Sequence, residues 1–294
     1  MDRGDARPGG RLMDEREQLL SDLRKIKQNQ FRLNEEEKAK DYVPLMLKYI
    51  GDTNPELRDY LIYKTFYKWI IEIKCLREEE LRYILFTVLD PNHLFYGLEH
   101  ECDDSVFTRS FSALVVALVL AYHRDKPFLE YKEFLMIKDN LINYYGKEKD
   151  LRAHVKGKGW ADAVSHGADA LDELIACKES NEKICCEVLG VIENMLLNGK
   201  YIFCEEEDER ITCVVFRIIK DKLISDQFIN KWIEGLVRHY KEKNNNIGER
   251  ITRINIKNFI RSLYFRLIYF NSNLELINNV LRAETKLNSF VRAE

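Results

Sequence analysis

An all-α chain, built as a HEAT- or armadillo-like α-solenoid of about five to six helical hairpins, is what this sequence predicts on three observations. Thirteen glycines and five prolines in 294 residues leave too few punctuators for a strand-and-turn architecture. Apolar residues recur three and four positions apart almost throughout, the spacing of one helix face. Alternate helices also share a register, marked by Arg58, Arg109, Arg210 and Arg261 near their starts. The steps are 51 from Arg58 to Arg109, 53 to Asp162, 48 to Arg210 and 51 to Arg261. A period near fifty with two helices per unit belongs to stacked helical pairs that bury their apolar faces on one another.

The elements follow in order. Residues 1–13 read as a flexible extension, and 14–294 as one α-solenoid domain. The periodicity predicts helices near 14–28, 34–50, 54–74, 77–89, 105–123, 127–145, 159–177, 181–198, 207–222, 226–241, 249–270 and 273–291. Thr53-Asn54-Pro55-Glu56 supplies a capping side chain and a proline at the first helical position. Lys126-Pro127 and Ser225-Asp226 open further helices, and Asn244-Asn245-Asn246-Ile247-Gly248 closes one. The stretch 105–123 is apolar nearly all round and should be the most enclosed. Connections near 91–104, 146–158 and 199–206 are long enough to carry function.

Composition narrows the class. With 46% hydrophobic and 32% charged residues, the chain can build a core and is not a disordered polymer. The net charge of −3 covers a basic C-terminal stretch, where ten Lys/Arg face five Asp/Glu from Lys241 to Glu294. That balance disfavours a general nucleic-acid binder while leaving a local basic face. Seven cysteines without a CxxC pair or a secretory leader suggest reduced thiols and a cytoplasmic setting. The apolar run Ala113–Tyr122 is short of a membrane span.

The segment Gly157-Lys158-Gly159-Trp160-Ala161-Asp162-Ala163-Val164-Ser165-His166-Gly167-Ala168-Asp169 is the densest in chemistry. Stepped at 100° per residue, Asp162, His166, Asp169 and Glu173 share a sector of about 60°, opposite Trp160, Val164 and Leu171. The stripe admits three readings. It is a solvated face, or a proton-transfer or metal site with His154 arriving from the preceding loop, or an anion site where Gly157, Gly159, Lys156 and Lys158 meet free helix amides. The arginine ladder is either structural, each guanidinium pairing with Asp59, Asp103, Asp104 or Glu209, or a row on a concave face gripping an anionic partner. His93, His100, Cys102, Asp103 and Asp104 cluster without a zinc spacing. Arg250, Arg253, Lys257 and Arg261 share one helix face, with Tyr264, Phe265 and Tyr269 assigned to the core. Glu205-Glu206-Glu207-Asp208-Glu209 reads as a solvated turn at a helix start.

Several stretches together resemble a bacterial family known as domain of unknown function 2785. They are Pro55-Glu56-Leu57-Arg58-Asp59, Ser105 through Ser112, Asp150-Leu151-Arg152, Gly157 through Leu174, Glu207-Asp208-Glu209-Arg210, and Asn258 through Tyr264. The resemblance runs from about residue 40 to 270 and implies an all-helical, HEAT- or armadillo-like fold with no activity attached. This chain carries Asp162 where the family pattern has a second histidine, and Ala153 where it has glycine. The lost histidine weakens a two-histidine metal or catalytic site.

The sequence therefore favours a non-enzymatic binding or scaffold module. A groove of Arg58, Arg109, Lys158, Trp160, Asp162, His166, Asp169, Arg210 and Arg261 would engage a protein segment or a small anionic ligand, with no metal, cofactor or membrane involved. The competing class is a hydrolase- or lyase-type enzyme. It would use His166 as acid or base and Asp169 to orient it, with His154 or Arg152 set against developing negative charge. A third reading gives the basic helix 249–270 to nucleic acid.

Overall fold

The computed structural model describes residues 14–238 and 246–291. The extension at 1–13, the last residues of the 226–241 helix and Asn244-Asn245 lie outside the described residues. The described chain is all-helical apart from one two-stranded ribbon. Its helices are α1 Glu15–Gln28 and α2 Ala39–Lys48, then α3 in three segments: π Glu56–Tyr63, α Lys64–Tyr67 and π Lys68–Glu72. They continue as α4 Glu78–Val88, α5 Ser105–Asp125 and α6 Tyr131–Lys147. The strands β1 His154–Val155 and β2 Gly159–Trp160 precede α7 Ala163–Ala176 and α8 Glu182–Leu196. The chain ends with α9 Glu207–Lys220, α10 Asp226–Arg238, α11 Ile247–Tyr269 and α12 Leu274–Leu287.

Helices α3, α5, α7, α9 and α11 pack on one another in series, while α6 packs on α8 and α10 on α12. One contiguous apolar cluster runs from Leu19 in α1 to Leu287 in α12. As expected, α5 is the enclosed element, with nearly every residue from Ser105 to Leu120 buried. It is long and apolar enough to cross a membrane, and 83% of its most apolar stretch lies inside the protein.

The caps are local. The Asn54 side chain accepts the Glu56 amide at 2.9 Å, and Asn181 accepts from Ile184 at 3.2 Å. Asn246 opens α11 instead of closing a helix, because its side chain accepts the Glu249 amide at 2.9 Å. The sixth helix starts at Tyr131, beyond Pro127, where the Glu133 carboxylate accepts the Glu130 amide.

Helix α3 departs from a regular α-helix for a reason written in its side chains. Its buried residues fall in two columns of strict four-residue spacing, Leu57, Leu61, Thr65 and Trp69 beside Arg58, Ile62, Phe66 and Ile70. At 3.6 residues per turn such columns would wind off the core by about 40° per turn. Wider π turns, closed by i→i+5 bonds, underwind the helix and hold both columns inward.

A further expected helix start is corrected. The helix placed at 159–177 begins four residues later, at Ala163, after a β-ribbon that pairs His154 with Trp160. The Lys158 amide donates to the Val155 carbonyl at 3.0 Å, closing a turn whose third residue, Gly157, has φ +78°. Gly159 has φ +83°, and any Cβ there would meet Pro55 Cβ at 3.0 Å and Arg58 Nη2 at 3.2 Å. The Ala161 and Asp162 amides both donate to Ala153 O, at 2.7 and 3.1 Å. They are therefore bonded within the chain, not free to receive an anion.

Candidate functional site

The ladder arginines occupy one register and four different environments. Arg58 is fully buried. It donates to Asp52 O at 2.7 Å, Lys158 O at 2.8 Å and Trp160 O at 3.3 Å, pairs with Asp59 at 2.7 Å, and lies over the Phe107 ring at 4.1 Å. Burial pushes the Arg58 guanidinium down and the Asp59 carboxyl up. Arg109 is equally buried and holds Glu148 through two bonds of 2.7 and 2.9 Å. It also donates to Tyr96 O at 2.8 Å and Ser105 Oγ at 2.6 Å. Arg210 and Arg261 are half-exposed, yet Arg210 grips Asp169 at 3.0 and 3.1 Å and Arg261 reaches Glu284 at 2.8 Å. Of the carboxylates anticipated as partners, Asp59 serves its arginine. Asp104 pairs with Lys158 at 2.6 Å, and Glu209 pairs with Arg266 at 3.2 Å.

What the fold gathers between α5, α7 and α9 is a surplus of carboxyl groups. Asp162 sits immediately before α7 in the left-handed region, φ 48° and ψ 34°, so the helical-wheel placement of this residue is corrected. Burial, then the nearby charge of Glu207, pushes its carboxyl up to about 7, with Asp169 and Glu205 adding and Arg210 opposing. Burial likewise leaves Asp169 at about 6 despite Arg210. Glu207 is the residue that sequence reasoning missed. In the acidic run it reads as solvated, but Glu206 takes φ 68° and turns Glu207 fully inward. One Glu207 oxygen accepts the Glu205 amide at 2.7 Å, while Oε1 and the neighbouring Tyr145 hydroxyl are buried without hydrogen-bond partners. The charges of both Asp169 and Glu207 act on Tyr145. Gly167 admits the Tyr145 ring, which a Cβ there would meet at 2.5 Å.

His166 is enclosed in this cluster, its ring edge-on to Phe111 at 5.1 Å. Its Nε2 lies 4.0 Å from Asp162, beyond hydrogen-bonding distance, and Asp169 is turned to Arg210 instead. Burial, then Arg210 and Arg58, holds the imidazole down to about 3, hence neutral. His154 does not join it, its ring resting edge-on against Trp160 at 5.0 Å. Trp160 is an exposed aromatic of the ribbon, not part of the α7 stripe. Arg152 is tied to Asp150 at 2.6 Å and to Asp103 O at 2.9 Å.

The other clusters disperse. His93 bonds Asp90 at 2.8 Å and His100 bonds Asp103 at 3.0 Å. Among the described residues no group of three or more His, Cys, Asp or Glu side chains could hold a metal ion. On α11, Arg253 reaches Leu287 O at 3.4 Å, where α12 ends. Phe265 and Tyr269, expected in the core, are exposed.

The carboxyl surplus sets a pH dependence. Asp162 holds its proton to about 7 in the folded state but only to about 3.9 when unfolded. Its contribution is therefore full below the unfolded value and lost as pH rises through 7. His166, lowered to about 3 from an unfolded value of about 6.5, contributes in the opposite sense, losing stability as pH falls below 6.5. From about pH 8 down to about 6.5 Asp162 dominates. The urea midpoint should rise over that interval, and Asp162→Asn should remove most of the rise. An unchanged slope in the variant would show that other groups set it.

No curated protein matches the chain, and no solved structure matches it. Residues 94–265 match a family model described as a protein of unknown function (DUF2785). That span covers α5 to α10, the β-ribbon and most of α11, more than half of the sequence. The buried Arg109–Glu148 pair, the ribbon and the carboxyl cluster thus all fall within the matched region, and the chain belongs to the DUF2785 family.

Proposed function

We propose that this chain is a non-enzymatic binding module: a cytoplasmic, HEAT- or armadillo-like α-solenoid spanning 14–294 as one domain. In this reading it engages a protein segment by taking a lysine or arginine side chain at the Asp162 rung. The carrying observation is the cluster of Asp162, Asp169 and Glu207, in which Arg210 bonds Asp169 alone and Glu207 Oε1 and the Tyr145 hydroxyl are left unpartnered. An arriving cation would favour the charged form of carboxyls whose protons burial now holds more tightly than in water. Trp160 and Glu205, both exposed, offer the side chain an aromatic face and a carboxylate on its way in.

The alternatives are less well supported. An anion groove needs free cations, whereas Arg58, Arg109, Arg210, Arg261 and Lys158 are all paired. An acid–base enzyme needs His166 within reach of its orienting carboxylate and titrating near neutrality, and it does neither. Nucleic-acid binding by α11 is weakened by the Arg261–Glu284 pair and the docking of Arg253 on α12.

A hexalysine peptide titrated into the protein should saturate and perturb tryptophan emission. Asp162→Asn should abolish that response, and Trp160→Ala should weaken it roughly tenfold. Preferential binding of an acidic peptide, lost in Arg210→Ala, would return the site to the anion reading and overturn the proposal.

A further inference from the structure

A second site, away from α7, is a cleft of about 540 Å³ between α2, the turn after it, α4, the 89–97 connection and the start of α5. Its walls carry Tyr49, Tyr83 and Tyr96, with Pro44, Asn92 and Thr108 between them. Tyr83 and Tyr96 are each 50% exposed. The charged and ionisable groups of the cleft are already engaged. Lys48 pairs with Glu15, and Asp52 holds Arg16 at 2.6 and 2.8 Å. His93 uses both ring nitrogens, on Asp90 at 2.8 Å and Leu47 O at 3.3 Å. The Tyr83 and Tyr96 hydroxyls and the Asn92 amide have no hydrogen-bond partner among the described residues. The open surface is therefore flat rings interleaved with neutral donors. The cleft is also held in shape: Arg109 fixes the Tyr96 carbonyl at 2.8 Å, and Gly51 lets the turn press on the Thr108 backbone.

We propose that this cleft binds a proline-rich segment in the polyproline II conformation. Such a segment has no internal hydrogen bonds, so its carbonyls need donors from outside, and proline offers no N–H in return. Tyrosine hydroxyls and an asparagine amide supply donors, while the rings pack against pyrrolidine faces, as in aromatic-lined proline-recognition grooves. The stiffness of the segment keeps the ordering cost low. A saccharide would demand several planar polar groups to pair its vicinal hydroxyls, and Asn92 is the one such side chain left unengaged here.

Fluorescein-labelled decaproline, roughly 31 Å long, is the probe, followed by fluorescence polarisation with the full chain. Saturable binding is expected, weakened about tenfold in Tyr83→Ala and in Tyr96→Ala. A glycine-serine peptide of equal length should give no response. Both rings are half-exposed, so the variants should keep the parent circular dichroism and urea midpoint. Tyr96→Phe, which keeps the ring, should retain part of the affinity. Asp162→Asn should leave decaproline binding unchanged, which separates this site from the Asp162 rung. Absence of saturation, equal affinity in the tyrosine variants, or displacement of the probe by maltoheptaose would overturn the proposal.

Discussion

Glu148→Ala is expected to lower the unfolding free energy by about 3–5 kcal/mol, the cost of leaving a buried guanidinium without its counter-charge. Both side chains of the pair are wholly inaccessible. Burial works against the charge on Arg109, and the two bonds from Glu148 more than reverse that effect. Glu148 also accepts the Lys149 and Asp150 amides at 2.9 and 3.0 Å, so its removal additionally frees the chain leading to the ribbon. Urea titration checks the loss. Glu148→Gln should fall between the parent and Glu148→Ala, because it keeps acceptor and shape without the charge. The double variant Arg109→Met with Glu148→Leu should be less damaging than Glu148→Ala alone, since a well-packed apolar pair carries no desolvation penalty. A double variant worse than the single one would show that the bonds to Tyr96 O and Ser105 Oγ matter more than the ion pair.

Gly51→Ala is expected to cost about 3 kcal/mol, at the upper end of the overpacking range. A Cβ at Gly51 would stand 2.6 Å from both Thr108 N and Thr108 Cα. These are backbone atoms of the buried helix α5, which cannot rotate aside as a side chain would. The control lies in the same chain. Gly190 is exposed within α8, and a Cβ there meets nothing within 4 Å. Gly190→Ala should therefore stabilise by roughly 0.5–1 kcal/mol through helix propensity and reduced freedom of the unfolded chain. Opposite signs for the two changes, read by urea midpoint, would confirm that contact and not residue type decides. A neutral Gly51→Ala would mean that α2 and α5 can separate at that turn.

The all-helical class was open to sequence reading because helix-forming signals are local. Scarce glycine and proline, apolar spacing and caps such as Asn54 and Ser225 act within a few residues, and the structure keeps them. The spacing of Arg58, Arg109 and Arg210 does place each near the start of a helix in the packed series α3, α5 and α9, whereas Arg261 lies past the middle of α11, which begins at Ile247. Which way each arginine points was not legible. That depends on how far each helix is rotated on its neighbours, a tertiary quantity, so two face the core and two the surface. The site was less legible still, for two identifiable reasons. Asp162 and Glu206 adopt positive φ without being glycine, and no propensity announces such a backbone. The Glu205–Glu209 run then hides one inward carboxylate among outward ones. In α3 the four-residue columns were present in the sequence all along, but a search tuned to 3.6 counts them as an ordinary stripe.

The Arg58 clamp has a consequence for the order in which the molecule assembles. Helical units form from contacts between sequence neighbours and so close quickly. The bonds from Arg58 to Lys158 and Trp160 instead join positions about a hundred residues apart, tying α3 to the ribbon. That loop closes only after the intervening helices are stacked. The ribbon that presents Trp160 is thereby a late-seating piece, and whether it is docked reports that α3, α5 and α7 have already found their places.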